Sequence, residues 1–285
     1  MSVGMAVPAS MAERPMIAIK PRRGLFHLSL GDVWRHRELL YFLVWRDLKV
    51  RYKQTVIGIL WVILQPLLTI AIFTVIFGYF ARFPSDGVPY PLFAYVGLLP
   101  WMYFSSAIVR SGLSVVAEAD VIRKVYFPRL ILPLSAVVAP LVDLAIGLSI
   151  VGVMIYWYGL TLTWRVLTLP FFALLALTAG LSVGLWLSAL HVRYRDVGHT
   201  IPFLTQSWMY ASPVVYPIIL VPQNFRSVYD LNPMVGVIAG FRWALLMKDR
   251  PDIGPILVST AIVGALLVSG LVLFKQMERT FVDVI

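Results

Sequence analysis

Six runs of at least twenty mostly apolar residues divide this sequence, at 56–80, 92–113, 130–158, 166–190, 197–220 and 253–274, with short charged segments between them. A hydrocarbon core about 30 Å thick is crossed by ~20 residues of α-helix, so each run is long enough to span a bilayer. Water offers no alternative cover for them. Hydrophobic residues make up 60% of the chain and charged residues 13%, against about half and about a quarter in soluble domains. The expectation is an all-α integral membrane protein of six transmembrane helices. Between the fifth and sixth runs, 221–250 is too polar to span yet rich in Phe, Trp and Leu, and reads as a re-entrant or membrane-surface hairpin on the outer side. The first thirty residues carry Pro8, Pro15, Pro21 and scattered Arg but no apolar core of signal-peptide length. The expected organisation is a disordered cytoplasmic tail over 1–31, an amphipathic interfacial helix over 32–54 and a six-span domain over 55–285.

The net charge of +10 is confined to segments between the apolar runs, which fits a membrane surface and not a nucleic acid. Orientation follows the excess of Lys and Arg on the cytoplasmic side. With the N-terminus inside, that side receives seventeen of the 24 basic residues, among them Arg123, Lys124, Arg129, Arg193, Arg195, Lys275 and Arg279. Six fall outside and Arg110 lies within a run. The expectation is a multi-pass protein of the inner (plasma) membrane with both termini cytoplasmic. The absence of cysteine excludes disulfides, thiolate metal sites and cysteine nucleophiles.

The segment 32–53 reads as a helix with two stripes. Arg35, Arg46, Lys49 and Lys53 share one face at about 100° per residue, and Trp34, Tyr41, Trp45, Leu48 and Tyr52 share the next. Such a helix lies among lipid headgroups. Its cations, with Arg51, either anchor the chain generically or select a phosphate-bearing lipid, and both readings stay open.

None of the nineteen glycines is followed by lysine, so the chain has no Walker A motif and no ATPase site of its own. Two charged residues fall inside the runs, Arg110 and Asp143, fewer than ion-driven carriers place there. Arg110 reads as a snorkelling cation near the cytoplasmic end of its span, and Asp143 as a helix-packing residue half-way along the third. His191 and His199 lack a third ligand, so neither a metal site nor catalysis is expected. The fifth run carries Pro202, Pro213 and Pro217 beside Gln206, Trp208, Tyr210 and Tyr216. Prolines free backbone groups that protein or water must satisfy, which points to a helix beside a cavity. Trp61, Gln65, Trp101 and Tyr103 are expected to line the same space, where aromatic rings suit sugar faces; an interfacial aromatic belt is the plainer reading of Trp101.

Six strings together resemble one family, the permease subunits of type-2 ABC exporters for bacterial cell-surface polysaccharides, O-antigens and teichoic acids. They are LVWRDLKVRYKQTVIGILWVILQPLL at 43–68, VIRKVYFPRLILPLS at 121–135, HVRYRDV at 191–197, QSWMYASPVVYP at 206–217, LNPMVGVIAGFRWALL at 231–246 and the terminal FVDVI. The resemblance implies a homodimer bound to two copies of a separate ATPase, which uses ATP and Mg, while this chain binds no cofactor. It implies export of an undecaprenyl-pyrophosphate-linked glycan. It also implies that Glu118, Arg123, Lys124, Tyr126 and Arg129 form a coupling and gating loop supported by Arg193, Arg195 and Asp196, that the basic face of 32–53 docks on the ATPase, and that 221–250 supplies outer gate helices.

Three other readings compete: a drug or lipid exporter of the same class, a membrane glycan polymerase or ligase using Arg226, Asp230, Arg242, Asp249, Arg250 and Asp252, and an ion-coupled carrier.

Overall fold

The computed structural model describes residues 30–53, 58–85, 87–246, 253–278 and 280–281, and every regular element among them is helical. The tail expected at 1–31 falls outside the described residues except for its last two, as do Lys248, Asp249, Arg250, Asp252 and Arg279.

Two helices open the described chain, α1 (Leu30–Arg35) and α2 (Arg37–Lys53). Val33 and Leu43 are buried, with Leu39 and Leu40 packed beside them, while Trp34, Tyr41 and Trp45 are exposed. The apolar seam that fixes α2 thus lies apart from its aromatic stripe. Helix α3 (Gly58–Phe73) runs on as a π-helical segment, Thr74–Phe80. Helix α4 (Tyr90–Ala117) is the axis of the molecule, with α8 (Leu169–Arg193) along its length. The small residues Gly180 and Ala107, and Gly184 and Ser111, meet between these two helices, which lets the backbones approach closely, as is usual within membranes.

The third apolar run is two helices. Pro140 has no N–H to donate, and the chain steps there from α6 (Ile131–Val138) to α7 (Leu141–Trp157). Asp143 therefore stands in the first turn of a helix, where the N-terminal dipole favours a carboxylate, and not midway along an unbroken span. After the short α5 (Ala119–Lys124), the chain is irregular up to α6.

Five helical stretches are long and apolar enough to cross a membrane: Ile63–Phe80, Tyr90–Ala117, Ile131–Trp157, Trp164–Arg193 and Ile253–Glu278. The fifth run of the sequence behaves differently. Its helix, α9 (Val197–Tyr210), has 14 residues, about 21 Å of rise. It ends in a turn at 211–216 containing Pro213, and a 3-10 turn follows at Ile218–Leu220. The segment beyond forms α10 (Gln223–Tyr229), largely exposed, and α11 (Pro233–Leu245), whose Met234, Val235, Val237, Ile238 and Phe241 are fully buried. Helix α11 packs on α4, α8 and α12 (Ile253–Glu278). The second half of the expected hairpin is therefore core and not a surface helix.

Both described ends of the chain meet in one cluster. Val33 and Leu43 pack there with Ile122, Phe127, Ile131, Leu185, Phe274 and Phe281. At the opposite end of the bundle Tyr90, Phe93 and Ala94 pack with Phe77, Phe83 and Leu246.

Candidate functional site

A cavity of about 880 Å3 opens between α3, α4 and α7, with Met209 of α9 at its edge, within the range usual for ligand pockets, about 300–1,000 Å3. Its wall on α4 is a helical stripe of Tyr95, Leu98, Leu99, Met102, Ser105, Ser106, Val109 and Arg110, joined by Trp101 and Tyr103. From α3 come Trp61, Gln65, Pro66 and Thr69. Pro66 lies inside its helix and leaves one carbonyl without its usual donor. Helix α7 supplies Asp143, Leu144 and Gly147, and α2 supplies Arg51. The lining mixes aromatic faces with hydroxyl, amide and guanidinium groups, a surface suited to a polyhydroxylated ligand.

The charged groups of the cavity gather at one end. Arg51 forms an ion pair with Asp143, and the Tyr52 hydroxyl donates to the other oxygen of that carboxylate. Burial, and then the bond to Asp143, push the Tyr52 phenol up to about 12, so at neutral pH it stays protonated and donating. Arg110 donates through Nε to Ser106 Oγ at 3.2 Å. The two intramembrane charges read from the sequence thus face one cavity, and Arg51 of α2, read there as a lipid-headgroup or ATPase-docking residue, completes the group.

Nearer the chain ends, Arg46 reaches Glu118 through both terminal nitrogens, at 2.5 and 3.1 Å, and also meets Asp47 at 3.0 Å. The hydrogen bond to Glu118 is the main reason its guanidinium is held above its ordinary range. Glu118 is the residue between α4 and α5, so this pair ties α2 to the expected coupling loop. Arg129 is bound to the end of α12: its backbone N–H donates to Glu278 Oε1 at 3.3 Å, its side chain to the Glu278 carbonyl, and it lies 5.9 Å from the centre of the Phe281 ring. Arg35, Lys49, Lys53, Arg123, Lys124, Arg193, Arg195 and Asp196 are exposed, and Tyr126 is 94% exposed.

Of the eight residues expected along a channel, Trp61, Gln65, Trp101 and Tyr103 share the cavity. Tyr103 also donates to the Val137 carbonyl at 2.9 Å. Trp208 stands edge-on to Phe104, whose ring neighbours Trp101, each pair with centres 5.4 Å apart. Gln206 and Tyr210 are exposed on α9, and the Tyr216 hydroxyl bonds to the Tyr210 carbonyl and the Tyr229 hydroxyl.

Sequence reasoning missed the network that holds the break after α9. Non-helical backbone at membrane depth needs donors from elsewhere. Asn232 donates to the Ala211 carbonyl at 3.0 Å and to Ser212 Oγ at 2.8 Å, while its own oxygen caps α11 by accepting from the Met234 N–H. Arg242, 4% exposed, donates to the carbonyls of Val214 at 2.8 Å and Tyr216 at 3.3 Å, and its guanidinium carbon lies 3.8 Å from the centre of the Phe93 ring. Tyr90 donates to the Val215 carbonyl at 2.7 Å. Gly97 makes room for this arrangement: a Cβ there would lie 2.5 Å from the Val214 oxygen.

His191 is buried against Gly198, and among the described residues no three His, Asp or Glu side chains could hold a metal ion together.

Residues 38–246 match the family described as ABC-2 type transporter. A protein of Myxococcus xanthus named O-antigen export system permease protein RfbA is 32% identical over 255 residues, 88% of this chain and 97% of that protein. One of the same name from Klebsiella pneumoniae is 30% identical, over 87% of this chain and 95% of its own length. A polysialic acid transport protein, KpsM, of Escherichia coli is 24% identical over 70% of this chain and 78% of its own.

Proposed function

We propose that this chain, which belongs to the ABC-2 type transporter family, is the membrane permease of a polysaccharide exporter and carries a lipid-linked cell-surface glycan outward while a separate ATPase supplies the energy. The observation that carries this reading is the cavity, whose rings and hydroxyls can follow a sugar chain while its charges stay at one end. Stacking surfaces hold successive sugars without fixing any one of them, which suits a cargo that must keep moving.

Helix α2 supplies a route by which the ATPase acts on that cavity. It is fastened to the α4–α5 turn through Arg46 and Glu118, and its last turn holds Asp143 through Arg51 and Tyr52. Closure of two ATPase subunits against α5, Tyr126 and the basic surface of α2 would move α2 as a rigid lever and shift the charged end of the cavity. The proposed frame has six crossings, both termini cytoplasmic in the inner membrane, an interfacial α2, and α10 with α11 as a re-entrant outer element. The working unit is a homodimer with two ATPase copies, undecaprenyl pyrophosphate being the proposed carrier.

Purification of this chain from native membranes, with mass spectrometry and an ATPase assay on the eluate, tests the reading. The expected result is a nucleotide-binding subunit whose hydrolysis responds to lipid-linked glycan. An eluate without ATPase activity would overturn it.

A further inference from the structure

We infer that Arg51, Arg110 and Asp143 form a phosphate subsite at the charged end of the cavity, where Asp143 holds Arg51 in place until a phosphate group of the cargo's lipid carrier enters between the two guanidiniums. The inference rests on the exporter reading and deepens it, because it separates the part of the cavity that holds sugar from the part that holds the carrier.

Three observations carry it. Arg51 and Arg110 line one cavity with a single carboxylate, so these three groups have a formal charge of +1. That carboxylate is committed to Arg51 and Tyr52. Among the described residues Arg110 has no carboxylate within salt-bridge distance, and its side chain bonds to Ser106 alone. Asp47 of α2 also attracts Arg110 electrostatically, and it is already bound to Arg46.

A half-buried cation in a membrane protein is costly to keep and faces protein or a water-filled path for a reason. Guanidinium is the side chain best matched to phosphate, since its planar fork meets two oxygens at once. Position also favours a carrier. Arg51 is at the end of α2 that leads into α3, so the subsite lies where the interfacial helix meets the first span. A lipid headgroup held at the interface would lie at the depth of this subsite. The sugars would then extend along Trp61, Gln65 and Trp101, away from the charges.

Binding of three probes to the purified full-length protein in zwitterionic nanodiscs tests this: a polyprenyl diphosphate, the matching polyprenol, and inorganic pyrophosphate. Arg110→Gln and Arg51→Gln are expected to weaken polyprenyl diphosphate binding by about tenfold or more, with Arg110→Lys between Gln and wild type. Asp143→Asn is expected to tighten it, by about threefold or more, since a competing negative charge is removed while the amide oxygen can still accept from Tyr52. A gain of affinity cannot come from misfolding, so this variant keeps the test decisive. Polyprenol binding should be unchanged in all of them. Equal affinities of Arg110→Gln, Asp143→Asn and wild type for the diphosphate would overturn the subsite. Pyrophosphate binding as tightly as the lipid would overturn its assignment to a lipid carrier. The same preparations are scored for co-purifying ATPase: its presence beside unchanged affinities sinks the subsite alone, and its absence sinks the exporter reading.

Discussion

The guanidinium of Arg242 serves two carbonyls of the non-helical turn after α9 and one ring face on α4. Replacing it by leucine would leave the Val214 and Tyr216 carbonyls without these donors, and each buried group left unmet costs about 1–3 kcal/mol. Arg242→Leu is therefore expected to destabilise the protein by about 2–6 kcal/mol, and Arg242→Lys by less, because an ammonium keeps the charge but not the fork. Thermal unfolding of the detergent-solubilised protein reads this; a leucine variant with the wild-type midpoint would show that the break after α9 is held by other groups. The role was not legible in the sequence, where Arg242 is an arginine in an external segment. Its acceptors are carbonyls 26 and 28 positions away, and a carbonyl has no signature in a sequence. Asn232 was legible in part: an Asn before Pro233 signals a helix cap, but not the two bonds that its amide makes to residues 211 and 212.

At the scale of elements, the segment expected as one helix over 32–53 is α1 and α2, and the faces of α2 acquire meaning only from what lies beneath. The partners of Arg46 and Tyr52 are Glu118 and Asp143, 72 and 91 residues on, and no local pattern announces pairs so distant. The cavity wall on α4 was more accessible. Tyr95, Met102, Ser105, Ser106 and Arg110 recur at helical spacing among bulkier residues, a weakly polar stripe that a search for charge alone overlooks. If α2 is a lever, the Arg46–Glu118 pair should matter more to transport than to stability. Both partners are partly exposed, and such pairs contribute only about 0.2–1 kcal/mol. Arg46→Glu and Glu118→Arg are expected to leave the unfolding midpoint nearly unchanged, while each lowers glycan-stimulated ATP hydrolysis severalfold and the two together restore much of it. Single variants with wild-type stimulation would remove α2 from the coupling route.

The whole molecule raises a question of parity. Five helical stretches are long and apolar enough to cross a membrane, and five crossings would leave the chain ends on opposite sides. Yet Val33 near the start and Phe281 near the end pack in one cluster, which supports the proposed sixth crossing between α8 and α12. In the proposed frame 197–220 makes it, first as the 14 residues of α9 and then through the turn held by Asn232, Arg242 and Tyr90. Composition could place this fifth run but could not foresee that half of it would abandon the helix, because the energy that permits the break comes from donors on α4 and α11. The remaining asymmetry concerns cover: 78% of the apolar window on α4 is buried within this chain, against 11% on the first span and 17% on the last. Those two surfaces must face lipid or a second copy, and the first of them borders the cavity. Since the chain has no cysteine, single cysteines report its topology without background. At Lys124 and Arg195 a membrane-impermeant maleimide is expected to react only after the inner membrane is permeabilised, and at Ser227 in intact spheroplasts. Matching accessibility at Arg195 and Ser227 would mean that 197–220 enters and leaves by the same side. The lever, the phosphate subsite and the outer element would then have to be assigned to a five-crossing frame, with the cluster that joins the two chain ends broken in the membrane.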